Sequence, residues 1–413
     1  MNVLSSSCCC FLEFFLGRFI INKPTSNQNK VIMSTTKLFE ELAPLPGGLF
    51  QCQYVPHKNE ILICGGYGMR DCYSYHLIRD EYKSICSYPD IGNICGHCVI
   101  KLASNDNNLD EITLLSFGGR DDHTLIMKYV SVWDDEKDET KHAKAEDLNK
   151  WVPLRDKNGN PLNIGSEKNK YEGVRAVIGG KMDVFDLRTF EYIKHYTLPI
   201  AEVLNFHCFV LKAKVEKKNE MVLFCGDSGL SIVYDEDSNN FELQKIRVCS
   251  TLRNYTQYGY VYANEALLLF GGRSKRSWDI ISQAVHKYYV KEDKWITFEQ
   301  TLPSALHNLV GILSEDNIYV HIFGRQNGYN ETSIHIRTKW DEWIQNEIEE
   351  KEWILIEKEI QLIERVQEDL EGMKQGFNIG KLKDNTTIVF TNLKQSKTKT
   401  KQNKGTTRPD NDY

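Results

Sequence analysis

The sequence predicts an all-β chain folded as a six-bladed β-propeller, with one C-terminal α-helix and disordered termini. Three observations carry this. An apolar run ending in a glycine pair, or a close variant of one, occurs six times: Ile61–Gly66, Leu114–Gly119, Arg175–Gly180, Val222–Asp227, Leu267–Gly272 and Val320–Arg325. The second glycine position falls at 66, 119, 180, 227, 272 and 325, a period near fifty. Each run has a strand-like core, and a single unit of this kind cannot bury its own apolar face, so successive units must pack against one another.

The elements follow in order. Residues 1–34 read as a disordered or leader segment. The apolar stretch Cys8–Ile21 is 14 residues long, contains Glu13 and Arg18, and is too short to span a bilayer. A secretory signal would want positive charge at the start and a small-x-small cleavage site, and acylation of Cys8, Cys9 and Cys10 is the remaining alternative. Lys37–Leu42, followed by Leu45-Pro46, reads as the outer strand of a unit that nothing precedes. It is expected to pair with Thr332–Arg337, closing the ring and removing open edges. The propeller is therefore expected over residues 35–338.

The last two units show the strand plan best. In the sixth, His307–Leu313 is the inner strand, Ile318–Gly324 the buried second strand and Thr332–Arg337 the third. In the fifth, Tyr258–Tyr262 and Ala266–Gly272 are followed by Gln283–Val290 and the outer strand Trp295–Phe298. In the fourth, Ile232–Asp235 and Phe241–Leu243 flank an Asn- and Asp-rich turn. The glycine pair lets a buried strand end beside its neighbours, where a side chain would collide and positive φ is needed. The aromatics that follow it (Tyr75, Trp133, Phe185, Tyr234 and Tyr288) are expected to fill the gaps between sheets.

Two segments depart from the repeat. Asp134–Lys150 is a charged insertion expected to be a solvated excursion. Residues 340–372 change to a helical period, with Trp353, Ile356, Ile360, Ile363 and Leu370 on one face. Twelve acidic and three basic residues fall between Trp340 and Glu371, so this helix is strongly acidic. It is expected either to dock on the propeller flank or to pair weakly with another helix in self-association. Residues 373–413 form a basic flexible tail, with six basic residues and no acid between Lys394 and Arg408.

These repeats resemble the kelch family. The carrying residues are the glycine pairs, the Phe185-Asp186 and Tyr234-Asp235 pairs, Trp151, Trp295 and Trp340, and the Leu-Pro links Leu45-Pro46, Leu198-Pro199 and Leu302-Pro303. The resemblance covers about three quarters of the chain, and Gly226-Asp227 and Gly324-Arg325 depart from the glycine pair. It implies a kelch-type propeller that works as a protein-interaction module.

Catalytic and cofactor chemistries find little support. Gly226-Asp-Ser-Gly229 resembles the nucleophile segment of a serine protease, but it occupies the glycine-pair slot and lacks an upstream histidine segment. Cys95-Gly-His-Cys98 lacks the second pair that a structural zinc site wants. His97 follows Pro89 by eight residues, as His207 follows Pro199, which makes it a repeat position at the start of an inner strand. No glycine pair has the form of a phosphate loop. No enzyme activity, cofactor or metal is expected. A net charge of −6 gives no nucleic-acid or membrane signature, so neither a specific nucleic acid nor a membrane span is expected. The twelve cysteines, several of them within apolar strands, favour a reducing, cytoplasmic setting.

The expected function is that of a non-catalytic scaffold or adaptor for an unidentified protein partner. The loops after the glycine pairs and those between blades should converge on one end of the ring. That end would present Arg120, Asp122, His123, Arg273, Arg276, Trp278, Arg325 and Tyr329. For Arg120, Arg273 and Arg325 the alternative is a structural ion pair between blades. For the chain as a whole, the alternative is a small-ligand or enzymatic site at the mouth of the central channel.

Overall fold

The computed structural model describes residues 38–47, 51–102, 111–133, 148–156, 158–164, 183–186, 191–196, 198–199, 206–326, 333–345, 360 and 362–366. The chain divides into two compact units, Met1–Leu38 and Phe39–Tyr413, and every element below belongs to the second.

After the short strand β1 (Glu40–Glu41), the chain builds antiparallel sheets one after another. The first comprises β2 (Gln53–His57), β3 (Glu60–Gly66), β4 (Met69–His76) and β5 (Glu81–Ser87). The second has β6 (His97–Leu102), β7 (Glu111–Gly118), β8 (His123–Val130) and β9 (Val152–Pro153). The third is described as the pair β10 (Asp183–Asp186) and β11 (Glu191–His195). The run expected at 175–180 lies outside the described residues. The fourth sheet is β12 (Cys208–Val215), β13 (Lys218–Cys225), β14 (Ser228–Asp235) and β15 (Asn240–Ile246). A small ribbon, β16 (Tyr255–Thr256) with β19 (Arg273–Ser274), flanks the fifth sheet. That sheet is β17 (Gly259–Ala263), β18 (Ala266–Phe270), β20 (Val285–Tyr289) and β21 (Lys294–Thr297). The last is β22 (Leu306–Leu313), β23 (Tyr319–Gln326) and β24 (Ser333–Lys339), whose fourth strand is β1. Among the described residues, five sheets thus have four strands, where six such units were expected, and two, the β10–β11 pair and the β16–β19 ribbon, have two.

First strands touch first strands of neighbouring sheets: β2 meets β6 and β22, and β17 meets β12 and β22. The sheets are therefore arrayed radially around their first strands, as in a β-propeller. Burial follows the same axis. Every residue of β3 and β18 is buried, while β15 on the outside alternates between exposed and half-buried. This is why only the second strands read as unbroken apolar runs. The core forms layers between adjacent sheets. One layer joins Val55, Leu62 and Tyr88 to Leu114, Met127 and Trp151, and another joins Phe224 and Val222 to Leu267, Tyr288 and Trp295.

The ring closes through the amino-terminal strand. Glu40 lies opposite Arg337 and Glu41 opposite Ile336, the Leu42 amide donates to the His335 carbonyl at 3.1 Å, and Arg337 Nε reaches Glu40 Oε2 at 2.7 Å. At the end of β18, Gly271 and Gly272 have φ of +59° and +106°. A Cβ on Gly271 would come within 2.8 Å of the Leu306 carbonyl oxygen, so both conformation and space demand glycine there. Asp227 and Arg325, the departures from the pair, have no such positive φ, which is why side chains are tolerated at them.

A second repeated device braces the turn between third and fourth strands. Tyr75 OH donates to Asp80 Oδ1 (2.7 Å), Tyr234 OH to Asn239 Oδ1 (3.0 Å) and Tyr288 OH to Asp293 Oδ1 (2.9 Å). In each case the acceptor residue sits at positive φ, a conformation Asn and Asp tolerate well. The aromatic both fills the space between sheets and fixes its own turn.

Beyond β24, α1 (Glu342–Gln345) is four residues long, and residue 360 and residues 362–366 are also helical. Trp343 is fully buried against Phe298, Phe270 and Phe39, and its carbonyl accepts a 2.8 Å hydrogen bond from the buried Lys287 Nζ. The remainder of the helix expected over 340–372, the insertion between Trp133 and Leu148, the leader at 1–34 and the tail at 373–413 lie outside the described residues.

Candidate functional site

The loops that follow second strands and the links between sheets meet at one end of the ring. The Asp121 amide donates to the Asn93 carbonyl at 3.0 Å, and Asp121 Oδ2 accepts from the Asn93 amide at 2.7 Å. The Lys275 amide donates to the Asn254 carbonyl at 2.7 Å, and the Gly272 amide to the Leu306 carbonyl at 3.0 Å. The Asp121–Asn93 and Lys275–Asn254 bonds tie a glycine-pair loop to a link between sheets, and the Gly272–Leu306 bond ties one to the start of β22.

The loop of the fifth sheet stands out. It begins in the ribbon β16–β19, and Arg273 also bridges Ile281. The Ser274 amide donates to the Ile280 carbonyl, the Ile280 amide to Ser277, and the Ser282 amide to Gly272. Ser274 Oγ accepts from the amides of Arg276 and Ser277. On this braced loop Trp278 is 62% exposed and Ile280 53% exposed. The Arg273 guanidinium lies 5.8 Å from the Trp278 ring centre, within cation–π range. Arg276 is exposed beside them. A rigid loop that holds a tryptophan in water gives up little further entropy on binding and offers a large apolar area.

The other expected residues are placed as follows. Arg120 and Asp122 are exposed on the loop of the second sheet, and the Arg120 amide donates to the Cys95 carbonyl. Arg325 is half-buried at the end of the second strand of the last sheet, opposite His307 and Ser333. Tyr329 lies outside the described residues. His123 is a correction, because it is buried and does not belong to the exposed end. Its Nε2 lies 2.7 Å from Ser116 Oγ, which also accepts from Tyr88 OH, and its ring stands edge-on to Tyr88. Desolvation lowers its pKa to about 4, partly opposed by a backbone hydrogen bond at Asp121, so at neutral pH it is an uncharged core group. The sequence put His123 next to a loop; its position as first residue of β8 points the side chain into the layer between sheets.

Cys95 donates to Gln51 Oε1, and His97 and Cys98 are buried. Among the described residues no group of three His, Cys, Asp or Glu side chains is placed to hold a metal ion. The nine described cysteines are thiols, eight of them buried. Burial pushes the thiols of Cys52 and Cys72 far up, the opposite of a reactive cysteine. Among the described residues, no helix is long and apolar enough to cross a membrane.

A second cluster was not foreseen. Arg247 and Arg253, in the link between the fourth and fifth sheets, both bind the Glu364 carboxylate from the carboxy-terminal segment. The acidic character of that segment was legible, but not which of its acids would find a partner.

No family profile matches this chain, and no curated protein does. Among solved structures, one described as "Structure of YjhT" is similar at 12% identity with a TM-score of 0.46, over 71% of this chain and 95% of that one.

Proposed function

We propose that this chain is a six-bladed kelch-type propeller acting as a non-catalytic scaffold that binds another protein through the loop end of its ring. The observation that carries the reading is Trp278, 62% exposed on a loop braced by backbone hydrogen bonds, with Arg273 against its ring. An exposed tryptophan flanked by arginines, with Ile280 exposed on the same loop, is the composition of an interface centre. The six-unit period supports the blade count, with the third blade represented by β10 and β11. The Tyr–Asp/Asn turn braces and the stacking of Trp151 on Tyr88 at 4.8 Å support the kelch resemblance. The buried thiols support a reducing, cytoplasmic compartment.

The test is proximity labelling in cells with the wild-type chain beside an Arg273→Glu/Trp278→Ala double variant of equal thermal midpoint. The expected result is selective loss of a small set of labelled proteins. Identical sets would remove this end of the ring from the reading.

A further inference from the structure

The strand that closes the ring has little structure of its own to hold it. β1 is two residues long, both are exposed, and its ladder to β24 is the pairs Glu40–Arg337 and Glu41–Ile336. The Leu42 amide donates to the His335 carbonyl at 3.1 Å, and the Ala43 amide to Asp80 Oδ1 at 2.9 Å. The Arg337–Glu40 pair lies on the rim, where water screens it. From Leu38 to Gly47 only Phe39 and Leu45 are buried. Leu45 packs with Tyr75 and Phe323 in the layer between the sixth and first sheets. Phe39 is packed elsewhere, with its ring 5.7 Å from that of Trp343 in α1.

Trp343 is anchored far more firmly than the residue it touches. Its ring stands edge-on to Phe298 at 4.9 Å and to Phe270 at 6.3 Å, and its Nε1 donates to Thr338 Oγ1 at 3.1 Å. Its amide donates to the Trp340 carbonyl, and the Trp340 amide to the Ile318 carbonyl, so the backbone that carries it is fixed to the last sheet. The Trp343 carbonyl accepts from Lys287 Nζ at 2.8 Å. Lys287 lies on β20 and is fully buried, with its ammonium 4.7 Å from the Tyr289 ring and 5.2 Å from the Phe298 ring. A bond to a buried ammonium is stronger than a neutral one, and withdrawing its acceptor is correspondingly costly. One side chain beyond β24 thus joins the fifth sheet, the last sheet and the amino-terminal strand.

We propose that α1 is the keeper of the closing strand: Trp343, seated by Lys287, holds Phe39, so that β1 leaves β24 only in molecules whose α1 has left its seat. Two observations carry this. The strand's own bonds are few and mostly exposed, whereas the side chain it leans on is buried and bonded from two sheets. Coupling of this kind is reciprocal, so a seated β1 also holds α1 in place. The ring is therefore latched from both ends of the propeller sequence at once, and the segment after β24 governs whether it can open. The inference is independent of the Trp278 reading, since the residues concerned lie on other elements.

The test is hydrogen exchange of the full chain at pH 7, read at the Leu42 amide and at amides of β13 and β18. W343A should speed exchange at Leu42 by about tenfold or more while β13 and β18 keep their protection. K287M leaves Trp343 and most of the buried volume in place, and it should act in the same direction by about threefold or more. W295A, which loosens the joint between the fourth and fifth sheets, should instead speed β18 more than Leu42. In an F39A background W343A should add less than about twofold at Leu42, because each side chain acts through the other. If W343A fails to fold, K287M alone and in the F39A background carries the same test. Unchanged protection of Leu42 in W343A and K287M, an equal rise at all three places, or effects of F39A and W343A that simply multiply would overturn the proposal.

Discussion

Two joints of the ring solve one packing problem with different chemistry. Between the fourth and fifth sheets the chain runs on continuously, and the gap is filled by Phe224, Tyr288, Trp295 and Tyr258 with Val248, Cys249 and Leu252 behind them. Between the sixth and first sheets the chain must be closed by a strand from its other end, and the gap holds titratable groups. His321 Nδ1 lies 3.0 Å from His335 Nε2, His335 Nδ1 lies 2.8 Å from Tyr82 OH across the seam, and the His335 ring stacks on Phe323 at 4.0 Å. Arg337 pairs with Glu40 on the rim. The covalent joint is also crossed by hydrogen bonds, from Tyr258 OH to the Phe224 carbonyl at 2.9 Å and from Trp295 Nε1 to the Arg247 carbonyl at 2.7 Å, but neither donor titrates near neutral pH. A joint made by a free strand gains register from directional hydrogen bonds, and that makes it sensitive to protons.

The largest effect is expected at the covalent joint. Trp295→Ala leaves a void against Phe224 and Tyr288 and orphans the Arg247 carbonyl, and a loss of about 3–5 kcal/mol is expected in urea unfolding. A loss below about 1 kcal/mol would mean that this joint is held elsewhere.

The next effect belongs to the seam. Desolvation lowers the pKa of His321 to about 4, with Arg337 adding to it and Asp316, Asp80 and Glu40 opposing. Desolvation also takes His335 well below its ordinary 6.5, helped by His321 and Arg337. The unfolded chain therefore binds more protons than the folded one between pH 6.5 and about 4. Stability is full above 6.5 and falls as pH drops through that window, by roughly 2 kcal/mol at pH 5 for His321, with His335 acting in the same direction. His123 and His286, both lowered to about 4 by burial, add to the total. Hydrogen exchange at pH 5 should expose the Leu42 amide and β1 before β17 and β18, and His335→Gln should shrink the pH dependence. Uniform opening of both joints would erase the distinction between them.

The smallest effect tests the rim. Glu40→Gln removes a pair whose acid is 57% exposed, and a change under about 1 kcal/mol is expected in the same unfolding assay.

Much of this architecture was legible because it repeats. The second strands announced themselves, since a strand buried on both faces has no polar residues to interrupt it, as in Glu60–Gly66 and Ala266–Phe270. The outer strand near Glu40 was legible as a unit without a beginning. The Tyr-x4-Asp/Asn braces at Tyr75, Tyr234 and Tyr288 were written in the sequence but were not recognised, since the spacing means little until the turn conformation is seen. His123 was misassigned because a histidine beside a loop reads the same whether its strand turns it outward or inward.

What the sequence alone determined is the all-β, repeated character of the chain and the order of its apolar runs, because period and hydrophobicity are properties of the chain. Tertiary structure decided which side chains meet across joints: Glu364 on Arg253, Tyr82 on His335, and Lys287 on the Trp343 carbonyl. The residues in these pairs are 111, 253 and 56 positions apart. No local pattern encodes such a meeting, since it depends on how every intervening strand twists and packs.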